Sequence, residues 1–487
     1  MLQDEDDKRR VEQAVHEFYL QAAPQRVVIR FREGVFNEYA DEREQDLPDG
    51  LNEVWNSLLQ LDDSLTIQRL FRDLEGAEEE TPSELLTFYE VLLPSEREQA
   101  IPLGEQIAAQ FAEFTEFVEE AYVESPHAPQ PQAPCADPRP YLCAAPDGMG
   151  AANFLSAAAG AGVRVVDLER FWAGGHPNLN HLKFFPNLNS PGEADYVANV
   201  HVPPGAARPS DAELRQVFQA GVDHATSVLS ILGADDGPAG RGLVPGAKLF
   251  FASSMTKNQH GKWIESLASQ IFRVIRAAND HMRAGDILLV EHQVWGRLQT
   301  DCSAKLESPV ELESAVRAAL NDARRRRIIV IEPAGNSGQE LAQLRQYGNC
   351  NLNQLGQAGA VMVAACDLPQ GAGGPHVRLE QSNFGAHVKC YAWGRDVVSL
   401  NQATPALMGT FSQTSAASAL VAGMAALLQS LAMSNVPGRP GRPLRPVEMA
   451  SALSFNRTSP AARPAAGQNI GVMPNLEAIV DHFLPTL

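Results

Sequence analysis

The chain of 487 residues is 44% hydrophobic and carries 59 acidic against 39 basic side chains, a formal net charge of −20. It is long enough for two or three domains and apolar enough for a large core. The acidic balance argues against a nucleic-acid partner, which needs a basic face, and no apolar run reads as the ~18–20 residues of a membrane span.

The charge is unevenly placed. Residues 1–126 hold 10 Lys and Arg against 31 Asp and Glu, whereas residues 127–487 hold 29 against 28. The acidic surplus marks the first quarter as a separate unit, and its plain reading is a solvated surface. The opening segment MLQDEDDKRRVEQAV lacks the basic-then-apolar pattern of a signal peptide. The chain is therefore expected to be cytoplasmic as synthesised, with later export by another route left open. Six cysteines (Cys135, Cys143, Cys302, Cys350, Cys366 and Cys390) form no zinc spacing. Reduced thiols are expected in the cytoplasm; Cys135–Cys143 or Cys302–Cys350 become candidate disulfides if the protein is exported.

In chain order, the first unit predicts strand, helix, strand, strand, helix, strand. Residues 25–34, QRVVIRFREG, alternate with the period of a half-buried strand. A helix follows at Leu51, strands from Leu65 and Glu84, a long helix from Arg97 and a last strand at Val118–Ser125. That order suits a small ferredoxin-like α+β domain over residues 1–126. Residues 127–147 lie in a proline-rich stretch that reads as an exposed linker. From residue 148 to 487, short β-branched strands alternate with helices, as in a parallel sheet covered on both faces. Those strands are GVRVVD ending at Asp167, AKLFFASS from Ala247, DILLVEHQV from Asp286, RIIVIEPAG from Arg327 and AVMVAACD from Ala360.

Four polar residues fall where α/β sheets collect their chemistry, at strand ends and helix starts. Asp167 ends its strand, His224 stands in AGVDHATSVLSILGA at the head of an apolar helix, Asn336 sits in a Gly-Asn-Ser-Gly turn, and Ser415 heads the helix in FSQTSAASALVAGMAALL. Taken singly, each has a bland reading as a turn residue, a core histidine or a helix cap. Together they offer an acid, a base, an amide donor and a hydroxyl.

Asp, His, Ser is also the chain order of the subtilisin triad, and the surrounding motifs carry a resemblance. GVRVVD with HPNL, HATSVLSILGA, GLVPGAKLFFASS, PAGNSG and FSQTSAASALVAGMAALL together resemble the subtilisin-like serine proteases, in register from Gly148 to Met433. The acidic first unit resembles that family's inhibitory propeptide domain. The resemblance implies an α/β fold with a parallel sheet sandwiched by helices, and a serine endopeptidase made as a zymogen. Ser415 would be the nucleophile, His224 the base, Asp167 its orienting acid, and Asn336 a donor to the oxyanion. Val290, Glu291, His292 and Gln293 would line the substrate strand.

The implied partners are a protein or peptide substrate, the chain's own N-terminal domain as inhibitor, cut near Tyr122–Cys135, and a separate inhibitor protein as a further candidate. No cofactor is required; structural calcium is common in the family, but no loop here reads as its site. The departures are Ala225 for the glycine after the histidine, Gln413 for the glycine two before the nucleophile, and Ala419 for the following proline. If position 413 needs a positive φ, Gln costs about 1 kcal/mol or more there. Two alternatives compete: an inactive binding scaffold in which these changes close the site, and an esterase or amidase. No G-x-S-x-G elbow supports an α/β-hydrolase version of the latter.

Overall fold

The computed structural model describes residues 26–32, 35, 47, 50–60, 65–69, 87–93 and 97–124 of the N-terminal part. From 139 to 484 it describes all but 143–147, 203–205, 236–240, 277–281, 299–304, 346–351, 353–357, 369–375, 401, 403–407, 435–440 and 456–468. The candidate disulfides at Cys135–Cys143 and Cys302–Cys350, and most of the expected cleavage region, lie outside the described residues. Cys366 and Cys390 are buried free thiols.

The N-terminal unit runs β1 (Arg26–Phe31), α1 (Leu51–Leu59), β2 (Ile67–Arg69), β3 (Phe88–Leu92), α2 (Arg97–Ala112) and β4 (Val118–Glu124). Its antiparallel sheet has the order β2-β3-β1-β4, the ferredoxin-like arrangement expected from the element order. Strand alternation sends Val27, Ile29 and Phe31 to one face, where they pack with Trp55, Tyr89 and Phe111.

The other face is not solvated, as a half-buried strand would leave it. Val28 and Phe88 join the core of the following unit, and Arg26 and Glu90 pair with each other while 2% and 1% exposed. Arg26 also donates to the Glu265 carbonyl at 2.7 Å, across the boundary between the units. Glu120 of β4 hydrogen-bonds Ser314 and lies near Arg317, and burial there raises its pKa.

The larger unit contains β5 (Arg164–Glu169), β6 (Lys183–Phe184), α3 (Glu193–Asn199), α4 (Asp211–Gly233), β7 (Lys248–Ser253), β8 (Met255–Lys257), β9 (Trp263–Glu265) and α5 (Leu267–Arg276). There follow β10 (Ile287–Val290), β11 (Gln293–Leu298), β12 (Leu306–Pro309), α6 (Ser314–Arg325), β13 (Ile329–Pro333), β14 (Leu344–Arg345), β15 (Val361–Cys366), β16 (Cys390–Trp393), β17 (Val397–Leu400), β18 (Met408–Phe411), α7 (Gln413–Met433) and α8 (Pro446–Leu453). Seven strands form one sheet in the order β16-β15-β13-β10-β5-β7-β6, and every recorded pairing in it is parallel.

Local chemistry explains most boundaries. The helix containing His224 is longer than its apolar stretch suggested: it starts at Asp211, capped by Ser210, whose hydroxyl and Glu213 form a capping box. His224 therefore lies in the helix interior, not at its head. Residues 263–265 form β9 and pair with β8, so that α5 begins only at Leu267. α7 is long and apolar enough by composition to cross a bilayer, contrary to the sequence reading, but 83% of its most apolar window is buried. It packs against α4, β10, β13, β15 and β16 as a core helix. Its small residues permit that approach; a Cβ at Gly423 would come within 2.7 Å of Leu243.

Arg26→Ala removes the cation that faces the buried Glu90 carboxylate, to which Gln68 also donates at 2.9 Å. Removing one partner of such a pair costs about 3–5 kcal/mol. The variant is expected to lower the urea midpoint accordingly and to speed proteolysis of the N-terminal unit, as followed by intact mass.

Candidate active site

From β5 the chain steps to β7 on one side, and from β10 it continues outward on the other through β13, β15 and β16. The carboxyl ends of β5 and β10 therefore flank a topological switch point, the usual crevice for ligands in such sheets. β5 ends in Glu169, and Glu291 follows β10 directly. Both are buried.

α4 carries His224 to this crevice. Its Nδ1 lies 2.8 Å from Glu169 Oε2, and Phe411 at the end of β18 packs edge-on against the ring, with centroids 4.9 Å apart. With Nδ1 engaged, Nε2 is the nitrogen left for other chemistry.

The expected pairing of Asp167 with His224 is not the one the structure brings together. β5 runs two residues beyond Asp167. Asp167 thus lies one pleat deeper, opposite Phe251 and Leu289 of the neighbouring strands, and neither of its carboxyl oxygens has a hydrogen-bond partner among the described residues. Residues two apart share a strand face, so Val-Val-Asp-Leu-Glu offered two acids in one direction. Only the length of the strand decides which reaches the edge.

Burial dominates the electrostatics. It raises the Asp167 carboxyl well above the usual range, with the Glu169 and Glu291 charges adding to the effect. It raises Glu169 likewise, against the opposing pull of Arg170. It pushes Glu291 up to about 8, with His224 opposing and Glu169 reinforcing. It lowers His224 to about 4, against the Glu291 charge.

A second polar cluster adjoins these groups. Arg170 forms a two-pronged pair with Glu265 at 2.9 and 2.7 Å, and the same carboxyl accepts from Ser254 at 3.0 Å and lies 3.1 Å from His292 Nδ1. Glu265 is also the residue whose carbonyl Arg26 holds.

Ser415 lies in the first turn of α7, whose N-cap is Ser412. Neither Thr414 nor Ser415 is the cap. The free amides and dipole of this helix start favour negative charge beside the Ser415 hydroxyl. Asn336 stands opposite: its Oδ1 accepts from the Thr414 amide at 3.1 Å and the Thr414 hydroxyl at 2.7 Å. This fixes the amide so that the buried Nδ2, with no partner among the described residues, remains available to donate.

The turn holding Asn336 is built around Asn383, a residue not anticipated from sequence. Asn383 accepts from the Ser337 and Gln339 amides and donates to the Glu307 and Ala334 carbonyls. Gly335 has φ +95°, and a Cβ there would sit 2.4 Å from the Glu307 carbonyl oxygen. Gln413 has φ +68°, so the chain does enter the left-handed region just before the nucleophile candidate, where glycine was expected.

Val290, Glu291 and His292 are buried, and Gln293 starts β11. The Glu291 and His292 side chains turn inward, to Ser418 and Glu265 respectively, and do not line an outward-facing wall. β11 pairs with β12 over Gln293–Gly296 and with β14 over Arg297–Leu298. Among the described residues, no group of three or more His, Cys, Asp and Glu side chains could hold a metal ion.

A family model, described as the subtilase family (Peptidase S8), matches residues 205–467, more than half of the chain. No curated protein matches it. Among solved structures, the epidermin leader peptide processing serine protease EpiP from Staphylococcus aureus is similar over 95% of this chain and 99% of its own, with 13% identity and a TM-score of 0.52. A protease from Pseudoalteromonas arctica is similar over 72% of this chain and 99% of its own, with 21% identity and a TM-score of 0.45. At such identities the likeness is one of fold.

Two substitutions check the geometry around Ser415. Gln413→Gly relieves the left-handed strain but gives the unfolded chain more freedom, so a net gain of about 0.5–1 kcal/mol is expected in denaturant titration. Asn383→Ala strips four hydrogen bonds from a buried turn and should cost about 3 kcal/mol. It should also accelerate amide exchange at Ser337 and Gln339 relative to the helix α7.

Proposed function

The chain belongs to the subtilase family of serine peptidases, and from that premise we propose that it is a serine endopeptidase working through Ser415, His224 and Glu169. The observation that carries this reading is the buried hydrogen bond between His224 Nδ1 and Glu169. Glu169 takes the role first expected of Asp167.

The Ser415 oxygen attacks the peptide carbonyl carbon while its proton passes to His224 Nε2. The Glu169 carboxylate holds the ring through Nδ1 and stabilises the imidazolium that forms. Negative charge on the carbonyl oxygen is met by Asn336 Nδ2 and the Ser415 amide at the helix start. The leaving amine takes the proton from His224, and water then resolves the acyl-enzyme by the same path in reverse. These steps use side chains and backbone amides alone.

The nucleophile is reached through a neutral histidine, and burial keeps His224 neutral down to about pH 4. The peptide main chain would lie against the segment Val290–Gln293, with side-chain selectivity set by residues around it. The N-terminal unit would act as the restraining domain of a zymogen. What supports this is its shared core with the larger unit through Val28 and Phe88 and the Arg26 contact to Glu265.

The test is labelling of the purified protein with a fluorophosphonate probe, with intact mass recorded. Wild type should label on Ser415 and Ser415→Ala should not. Glu169→Gln is expected to lose about 10⁴-fold in kcat on a peptide substrate, as when a triad carboxylate becomes an amide, whereas Asp167→Asn should stay within a few-fold. Asn336→Ala should lose about 10²–10³-fold. Absence of labelling, before and after removal of residues 1–126, would favour the binding-scaffold reading.

A further inference from the structure

Glu169 meets His224 through one oxygen only. Its Oε2 lies 2.8 Å from His224 Nδ1, and its Oε1 is buried with no partner among the described residues. A glutamate side chain turns about several bonds, so one hydrogen bond does not by itself fix its carboxyl. The backbone beneath it is held unevenly. β10 pairs with β5 only as far as Leu168, whose carbonyl accepts from the Glu291 amide at 3.2 Å. Two residues later, at Arg170, the chain bends away.

On the other side of β5 the hold is dense. The Glu169 carbonyl accepts from the Ser254 amide at 2.7 Å, and the Arg170 carbonyl accepts from the Ser253 hydroxyl at 2.7 Å. The buried Arg170 guanidinium grips both oxygens of Glu265, at 2.9 and 2.7 Å. Glu265 is anchored in turn. Its Oε1 accepts from the Ser254 hydroxyl at 3.0 Å and lies 3.1 Å from His292 Nδ1, while Arg26 of the N-terminal unit donates to its carbonyl. The residue directly after Glu169 is thus tied to the β7–β8 junction, to the end of β9 and to the segment after β10. A planar guanidinium that meets a carboxylate through two parallel bonds fixes orientation as well as distance.

We propose that Arg170 is the positioning residue of Glu169: its two-pronged grip on Glu265 holds the end of β5 so that the Glu169 carboxylate meets His224 Nδ1 and the ring is set to serve Ser415. This rests on the serine-peptidase reading and adds to it a residue that touches neither substrate nor the reacting atoms. Asp167 cannot take over when the grip is lost, because it lies one pleat deeper, between Phe251 and Leu289. The Arg170 charge also opposes the burial that would keep Glu169 protonated, so charge and geometry act in the same sense.

Two variants separate them. Arg170→Lys keeps the charge and loses the fork. Arg170→Met combined with Glu265→Gln removes both members together, so that neither is left buried without its counter-charge, and it carries the test if the single change does not fold. The experiment uses the full chain, with circular dichroism confirming the fold. It records the rate of fluorophosphonate labelling, the fraction labelled, and kcat and KM on a peptide substrate. Both variants should label to the wild-type extent but about 10²-fold more slowly, with the same loss in kcat and little change in KM. The Glu169→Gln background is the decisive readout, because an effect that passes through Glu169 has nothing left there to act on. In that background Arg170→Lys should slow labelling by less than about twofold.

Labelling of either variant at the wild-type rate overturns the proposal. A full further loss in the Glu169→Gln background overturns it too, since Arg170 would then act independently of Glu169. So does a lower labelled fraction with an unchanged rate, which marks a pair that only supports the fold. Wild type that does not label, before or after removal of residues 1–126, defeats the serine-peptidase reading and the positioning role together.

Discussion

The hydrogen bond between Glu169 and His224 is the interaction on which the rest of the site depends. It joins the end of one strand to the interior of one helix, so strand length, helix register and sheet order must all be correct for it to form. Burial pushes its two members in opposite directions, raising the carboxyl and lowering the imidazole. Both shifts favour fewer charges in the crevice. Arg170 and Glu265 pair with each other alongside, which leaves Asp167 and Glu291 as acids that persist by staying protonated.

This economy of charge follows from the topology. A switch point in a parallel sheet places the carboxyl ends of two adjacent strands side by side, here those of β5 and β10, and covers them with helices. Acids placed there lose water and face one another. Such a site favours reactions in which protons move between neighbours over reactions that require standing charge. The amides at the start of α7 and the unpartnered Asn336 Nδ2 are neutral donors, suited to a charge that exists only during reaction.

The two units are also linked through this polar interior. Arg26 reaches from β1 to the Glu265 carbonyl, the Glu265 carboxyl holds Arg170 and His292, and Arg170 adjoins Glu169. The acidic first quarter thus buries Val28, Phe88, Arg26 and Glu90 on the face that meets the larger unit. Its composition indicated a separate unit, and its docking face could be identified only once the neighbour was in place. Arg26 and Glu90 look like surface residues in any sequence window; they are buried because two faces meet over them.

Local chemistry written in the sequence determined the strand and helix order, the ferredoxin-like first sheet, the parallel second sheet, and the motifs around His224, Asn336 and Ser415. Alternation, apolar runs and turn residues act over short distances and need no tertiary context. The need for a positive φ at position 413 was also legible as a question, and the structure answers it at +68°. Tertiary structure alone decided that β5 extends to Glu169, that Glu169 and not Asp167 meets His224, that Glu291 turns inward to Ser418, and that Asn383 braces the Asn336 turn. The physical reason is the same in each case. Two carboxyls two residues apart point the same way, and which one meets its partner depends on where distant strands and helices bring that partner, a distance that no local pattern encodes.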